Sequence, residues 1–375
     1  MVVTGISLIT ALGKSRTSTW ENLLQGRCGI RNSDYFPQHP NVLLGLVSDS
    51  PQDFRSLILK SIQEALHDAQ LPHPPHHTGI VLGSSRGNQG DIEAIARKDA
   101  NLKQWLAAYS ASPSHLAAEY LKCEGPILAP RAACATGLWA IAQGAELIRE
   151  GLAHIVIAGG IETPITPLTI AGFQKMGALS NSGSAPFDIN RSGFVLGEGA
   201  AVLILESQQH AAQRQQASYG EILGFGASAD GYHMSAPNPD PHTGLQAVLQ
   251  CLERSQTSPE TIEFIHAHGT GTKLNDQNEA KIIQQLFPQA PFTMSSKGAT
   301  GHTLGASGAI GTALCLLSLK HEVLPATVGL QNIDPSLGIN VLRKPHYGKI
   351  NRALCLSFGF GGQNAALILG RSPAE

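Results

Sequence analysis

The sequence predicts an α/β protein with a repeated organisation, and three observations carry that reading. Short β-branched runs recur, most of them ending in or just before a glycine: 2–5, 79–83, 154–160, 201–206, 219–226, 262–266, 292–295, 353–358 and 365–369. Runs of this length bounded by Gly suit buried sheet positions. Helical patterns lie between them. Residues 54–69 set Leu57, Ile58, Ile62, Ala65, Leu66 and Ala69 on one face. Residues 137–150 do the same with Leu138, Ile141, Ala142, Ala145 and Ile148, and 309–319 is apolar nearly all round, as a buried helix would be. Strands alternating with helices predict largely parallel sheets. Third, a strand at 127–129, a small-residue turn holding Cys134 and an apolar helix have a counterpart later in the chain. There a strand at 292–295 leads into a small-residue turn holding Lys297 and His302, then another apolar helix. The two halves, 1–206 and 217–375, are expected to pack intimately. They meet in the polar, Gln-rich run 207–218, whose composition also suits an exposed helix.

Composition narrows the function classes. With 42% apolar residues in 375, the chain can bury a sizeable core, so disorder is excluded. A formal net charge of -2 offers no basic stripe for nucleic acid. No apolar stretch reaches the ~18–20 residues of a membrane span. The apolar start lacks the basic region of a secretory signal and reads as a strand entering a turn. Cys28, Cys123, Cys134, Cys251, Cys315 and Cys355 are scattered without a CxxC pair, so reduced thiols in a cytoplasmic protein are expected, with no metal site. His73, His76 and His77 sit among prolines with no acidic or Cys partner, as in a solvated loop.

Four segments could carry chemistry. In Ala133-Cys134-Ala135-Thr136-Gly137 a thiol stands between strand and helix, where the helix dipole and unpaired N–H groups would favour thiolate; a buried structural Cys is the alternative. In His266-Ala267-His268-Gly269-Thr270-Gly271-Thr272 a strand runs into a loop open to close ligand approach, with one His expected as a hydrogen-bond donor. Residues 295–302 set Lys297 and His302 five apart in a Gly-rich turn, where buried charges must be used or paired. Residues 358–364 surround Phe360 with glycines, and a freed backbone N–H there could form half of an oxyanion hole. Neither GxxxxGK[ST] nor a GxGxxG in register after a strand occurs, so nucleotide binding is not expected. Gly83-Ser84-Ser85-Arg86-Gly87 matches a hydrolase nucleophile elbow, although a Gly-rich strand end accounts for it equally well.

Taken together, these segments resemble the chain-elongating β-ketoacyl-acyl carrier protein synthases of the thiolase superfamily, over nearly the whole chain. The likeness includes Val2-Val3-Thr4-Gly5 with Leu12-Gly13, Thr166-Pro167-Leu168, Pro186-Phe187-Asp188 with Arg191, and Gly197-Glu198-Gly199-Ala200. The resemblance implies a duplicated five-layer αβαβα sandwich and a decarboxylative Claisen condensation with malonyl-acyl carrier protein. No cofactor is implied. It also implies Cys134 as nucleophile, His268 and His302 as catalytic histidines, and Lys297 in support. The N–H groups of Cys134 and Phe360 would form the oxyanion hole, with Phe360 as gate. Thr270 and Thr272 would hold the phosphopantetheine arm beside Phe358, and Asp276 and Glu279 would be the acidic pair after the loop. The implied partners are an acyl carrier protein and a second subunit, in a homodimer or a ketosynthase heterodimer.

The chain also departs from the pattern. Many members carry Glu nine residues after the second His, where this chain has Gly311, which leaves the anchor of Lys297 open. Ser192 stands where Asp is common, the segment 31–60 is short, and 105–120 diverges. These departures suit a fatty-acid enzyme or a specialised polyketide or polyene one. They also keep a non-catalytic chain-length-factor-like subunit as the alternative, which the presence of Cys134 disfavours. Thiolases and chain-initiating synthases share the fold, but the paired His268 and His302 disfavour both.

Overall fold

The computed structural model describes residues 1–102, 105–109 and 112–372. Part of the divergent stretch 105–120 therefore lies outside the described residues. The first half contributes β1 (Val2–Ile9), α1 (Phe54–Asp68), β2 (Gly79–Gly83), α2 (Ser112–Leu121), β3 (Ile127–Leu128), α3 (Thr136–Arg149), β4 (Ile155–Glu162) and β5 (Gly199–Glu206). The second contributes β6 (Gly220–Ala229), α4 (His242–Arg254), β7 (Phe264–His266), α5 (Lys273–Leu286), β8 (Phe292–Met294), α6 (Ser307–His321), β9 (Arg352–Gly359) and β10 (Gln363–Gly370).

The strands form one 10-stranded sheet in the order β8-β7-β9-β10-β6-β1-β5-β4-β2-β3. Read inward from either edge, both halves follow one order: third strand, second, fourth, fifth, first. They join where Val2 and Val3 of β1 pair with Glu221 and Gly220 of β6. The expectation of largely parallel sheets needs correction. β2, β3 and β4, and likewise β7, β8 and β9, pair parallel, but every pairing from β4 through β5, β1, β6 and β10 to β9 is antiparallel. The reason is local: only Phe360 to Gly362 separate β9 from β10, too little chain for the crossover a parallel pair requires. The polar run between the halves holds the helix Gln208–Gln213.

Alternation along the central strands sorts the core into layers. In β4, Ile155, Ile157 and Ile161 face α1 and α2, whereas Val156 and Ala158 face inward. In β9, Leu354 and Leu356 face α4 and α5, whereas Ala353 and Cys355 face inward. Between the sheet halves lie α3 and α6, giving the αβαβα stack. The two helices touch through glycine: a Cβ at Gly137 would stand 2.6 Å from Ala309 N, and one at Gly308 would stand 2.8 Å from Leu138 N. An added methyl at such a crossing costs about 1–3 kcal/mol. The contact sets the separation of the two helix N-termini, and the candidate site lies between them.

Candidate active site

The chain enters α3 through a strained bend. Ala133 has φ +46°, a left-handed conformation that non-glycine residues rarely adopt. Thr136 clamps the bend: its hydroxyl donates to Ala133 O at 2.6 Å and accepts from Ala132 N at 2.9 Å. Ser357 of β9 donates to Cys134 O at 2.9 Å. Cys134 is thus fixed at the N-terminal end of a central helix, and the backbone N–H of Phe360 points at its sulfur.

His268 and His302 arrive from the second half. β7 ends at His266, and the following loop is pinned by Glu279 of α5, whose carboxylate accepts from His268 N at 2.6 Å and Gly269 N at 2.7 Å. Asp276 holds the neighbouring backbone, accepting from Phe187 N at 2.8 Å and Gly271 N at 3.2 Å, with Arg191 Nε 3.5 Å away. Asp276 and Glu279 therefore shape the loop from behind. His302 is locked by a bridge to Leu196, and its Nδ1 shares a 2.9 Å hydrogen bond with the Ser307 hydroxyl. The two imidazole rings lie 5.3 Å apart and nearly perpendicular. The Cys134 sulfur and a nitrogen of each ring all lie within 4.8 Å of one another. Three such groups could ligate a soft divalent ion, but a metal there would stand beside the ammonium of Lys297.

Lys297 is buried and donates to the main-chain oxygen of His268. Burial lowers its pKa, and Glu279 opposes that shift. Burial holds His268 well below the ordinary imidazole value, helped by Lys297 and His302; burial and Lys297 do the same to His302. Both rings are neutral near pH 7. The expectation of a thiolate at Cys134 is corrected. Burial pushes the thiol up to about 11, and Lys297, the Phe360 N–H and Arg86 offset only part of that. Loss of water is the largest influence because the sulfur is enclosed.

The Gly311 departure has a structural counterpart. A Cβ at Gly311 would stand 2.7 Å from His266 Nδ1 and 2.8 Å from Cys355 Sγ. The space is filled by an imidazole from β7 and a thiol from β9. Burial raises the Cys355 thiol, but the Cys315 thiol and the His266 ring beside it outweigh burial and lower it. Cys355 in turn bears on Lys297, favouring its ammonium.

Two cavities meet at Cys134. The larger, about 880 Å³, is lined by His268, His302, Thr270, Thr272 and Phe358. The Thr270 and Thr272 hydroxyls are 2.9 Å apart, and Thr272 also caps α5. The smaller, about 460 Å³, is lined by Ser85, Arg86, Phe173 and Leu304 among others. Cys134 and Phe360 line both. Gly361 and Gly362 follow Phe360 with φ +78° and +74°, conformations that favour glycine.

Ser85 is not placed as a hydrolase nucleophile. Its hydroxyl donates to buried Glu162 at 2.6 Å. Sequence reasoning missed Glu162, which also accepts from Ser84 Oγ, the N–H groups of Ser85 and Arg86, and Gly305 N at the entrance to α6. One carboxylate thereby ties the end of β2 to the other half. Its position at the end of an apolar strand was the available signal. Ser307 was also missed, and nothing in its local sequence marks it as the partner of His302.

The family model for the beta-ketoacyl synthase N-terminal domain matches residues 48–211, and that for the C-terminal domain matches 219–331. The chain belongs to the beta-ketoacyl synthase family. It is 33% identical to a 3-oxoacyl-[acyl-carrier-protein] synthase 2 of Vibrio cholerae, over 99% of each chain. A type II polyketide synthase acyl-carrier protein in complex with its ketosynthase, bound to the hexaketide, superposes with TM-score 0.91 at 27% identity, over 98% of each chain. A ketosynthase in complex with its chain length factor from Xenorhabdus doucetiae superposes with TM-score 0.83 at 29% identity, covering 99% of this chain and 98% of that one. The thiolase-like fold and family expected from the sequence are thereby borne out. Among the described residues no helix is long and apolar enough to cross a membrane.

Proposed function

We infer that this β-ketoacyl synthase joins an acyl thioester to malonyl-acyl carrier protein, releasing carbon dioxide and giving a 3-oxoacyl-acyl carrier protein. The observation that carries the reading is the enclosed triangle of Cys134, His268 and His302 between two cavities. The acyl carbonyl carbon takes up the Cys134 sulfur, and the thiol proton passes to a neighbouring neutral imidazole. The N–H groups of Cys134 and Phe360 receive the oxyanion, and the carrier thiol leaves with a proton. Malonyl thioester then enters by the larger cavity, with Thr270, Thr272 and Phe358 along its pantetheine arm. Loss of carbon dioxide leaves an enolate, whose oxygen accepts hydrogen bonds from the neutral rings of His268 and His302. The enolate carbon attacks the acyl-Cys134 carbonyl, and the sulfur leaves and is reprotonated. Lys297 positions the His268 loop and assists burial in keeping both rings neutral.

The division into halves 1–206 and 217–375 belongs to the same reading: the first supplies the nucleophile, the second the histidines. An acyl carrier protein is the proposed donor of both substrates, a reading supported by the similar ketosynthase noted above in complex with its acyl-carrier protein. A homodimer or a ketosynthase heterodimer is the proposed assembly, the latter suggested by the relative bound to its chain length factor. Six free cysteines, most of them buried, support a reducing, cytoplasmic setting. The test is intact-protein mass after incubation with a panel of acyl-carrier proteins. Wild type gains the mass of the acyl group and Cys134→Ala gains none. A folded wild type that no donor labels would favour the chain-length-factor-like reading instead.

A further inference from the structure

The smaller cavity is where an acyl chain on Cys134 would extend, and its largely apolar walls, with Ile92, Phe173, Leu304 and Phe360, are interrupted by the charged side chain of Arg86. Arg86 lies beside Phe173, its guanidinium 5.4 Å from the ring centroid. Arg131 adds a donor at the exposed rim, whereas the Gln89 amide is engaged by Glu93, and among the described residues no Asp or Glu lines the cavity. The nearby buried carboxylates are occupied. Glu162 takes donors from Ser84, Ser85, Arg86 N–H and Gly305, and Glu93 takes Thr166 and Arg97. Among the described residues neither Arg86 nor Arg131 has an acidic partner within ion-pair distance. A half-buried guanidinium left without an acceptor favours a ligand that brings one, and a plain alkyl chain would desolvate it without return.

We propose that the acyl group carried on Cys134 bears an acceptor oxygen on its chain, a ketone or a carboxylate, which Arg86 receives in the smaller cavity. This rests on the synthase reading above and specifies its substrate class. The oxygen accepts one or two guanidinium N–H bonds and no covalent step is added. Arg86 acts as a specificity residue, selecting which thioester stays long enough for Cys134 to react.

The experiment is competitive loading, read by intact-protein mass. Wild type is offered butyryl-, acetoacetyl- and succinyl-carrier protein as one matched set, and hexanoyl- and adipoyl-carrier protein as a second. Acyl groups with a chain oxygen are expected to load at least about tenfold faster than the hydrocarbon of equal length. The acetoacetyl and succinyl arms distinguish ketone from carboxylate. Arg86→Leu should bring the ratio toward one, and Arg86→Lys should retain part of the preference. Equal or faster loading of the hydrocarbons by wild type overturns the proposal and leaves the synthase reading standing, as does a ratio that Arg86→Leu does not move. Labelling by no donor overturns the synthase reading, and this proposal with it.

Discussion

Residues 132–136 and 303–307 enter the two central helices through the same backbone bend. φ is +46° at Ala133 and +42° at Leu304, and a hydroxyl residue, Thr136 or Ser307, opens each helix. The chemistry differs at two positions. Where the first bend carries Cys134, the second carries Gly305, whose missing side chain lets Glu162 and Ser85 approach. The Thr136 hydroxyl turns back onto its own bend, whereas the Ser307 hydroxyl faces His302. One backbone unit used twice brings two helix N-termini together. One holds Cys134, the proposed nucleophile, and the other gives up its side chain and orients the ring of His302, its proposed partner. The repeat supplies the geometry, and the differences within it divide the labour.

That division is broken most severely at the ring. His302→Ala should lower malonyl decarboxylation and condensation by roughly 10²–10⁴-fold, the usual range for removing a positioned proton donor or acceptor. The loss should fall on kcat, measured as carbon dioxide release, while the first bend still presents Cys134. An unchanged rate would mean that the second bend is structural only.

The pH dependence of Cys134 sharpens the comparison from the other side. A thiol held at about 11 gains thiolate about tenfold per pH unit through the neutral and mildly alkaline range. Alkylation by iodoacetamide should therefore rise about 100-fold between pH 7 and pH 9 without levelling. A plateau by pH 8 would show that the helix terminus, not burial, governs the sulfur. The sign follows from burial: it disfavours the anion, so the reactive form lies above the usual thiol range.

Much of this was legible in the sequence, for reasons that differ by residue. β4, β5, β9 and β10 announced themselves through β-branched runs, and α6 through its unbroken apolar stretch. Cys134, His268, Lys297 and His302 stood out because buried polar groups among small residues need a reason. Strand direction was misread because a short connection between strands was outweighed by the general alternation of strand and helix. The Cys134 thiol was misjudged because a helix N-terminus is visible in sequence and the enclosure around it is not. Glu162, Ser307 and the filling of the Gly311 space escaped because their partners lie far away in the chain.

Gly311 gives the smallest and most local test. Its equivalent on α3 is Ala140, a buried residue that accommodates its own methyl. The helices differ here because α6 has a buried polar pair behind it, His266 on β7 and Cys355 on β9. Both strands are interior to the sheet and paired on each side, so neither can retreat freely. Gly311→Ala should destabilise the protein by about 1–3 kcal/mol, the range for overpacking a closed core, read as a lower urea midpoint. Adding His266→Ala removes the ring that the methyl strikes. The double variant should then lose less than the sum of the two single losses, because the sites share one space. Strict additivity would mean that α6 moves away from the strands, and that the fit between Gly311 and the polar pair is not what holds the helix in place.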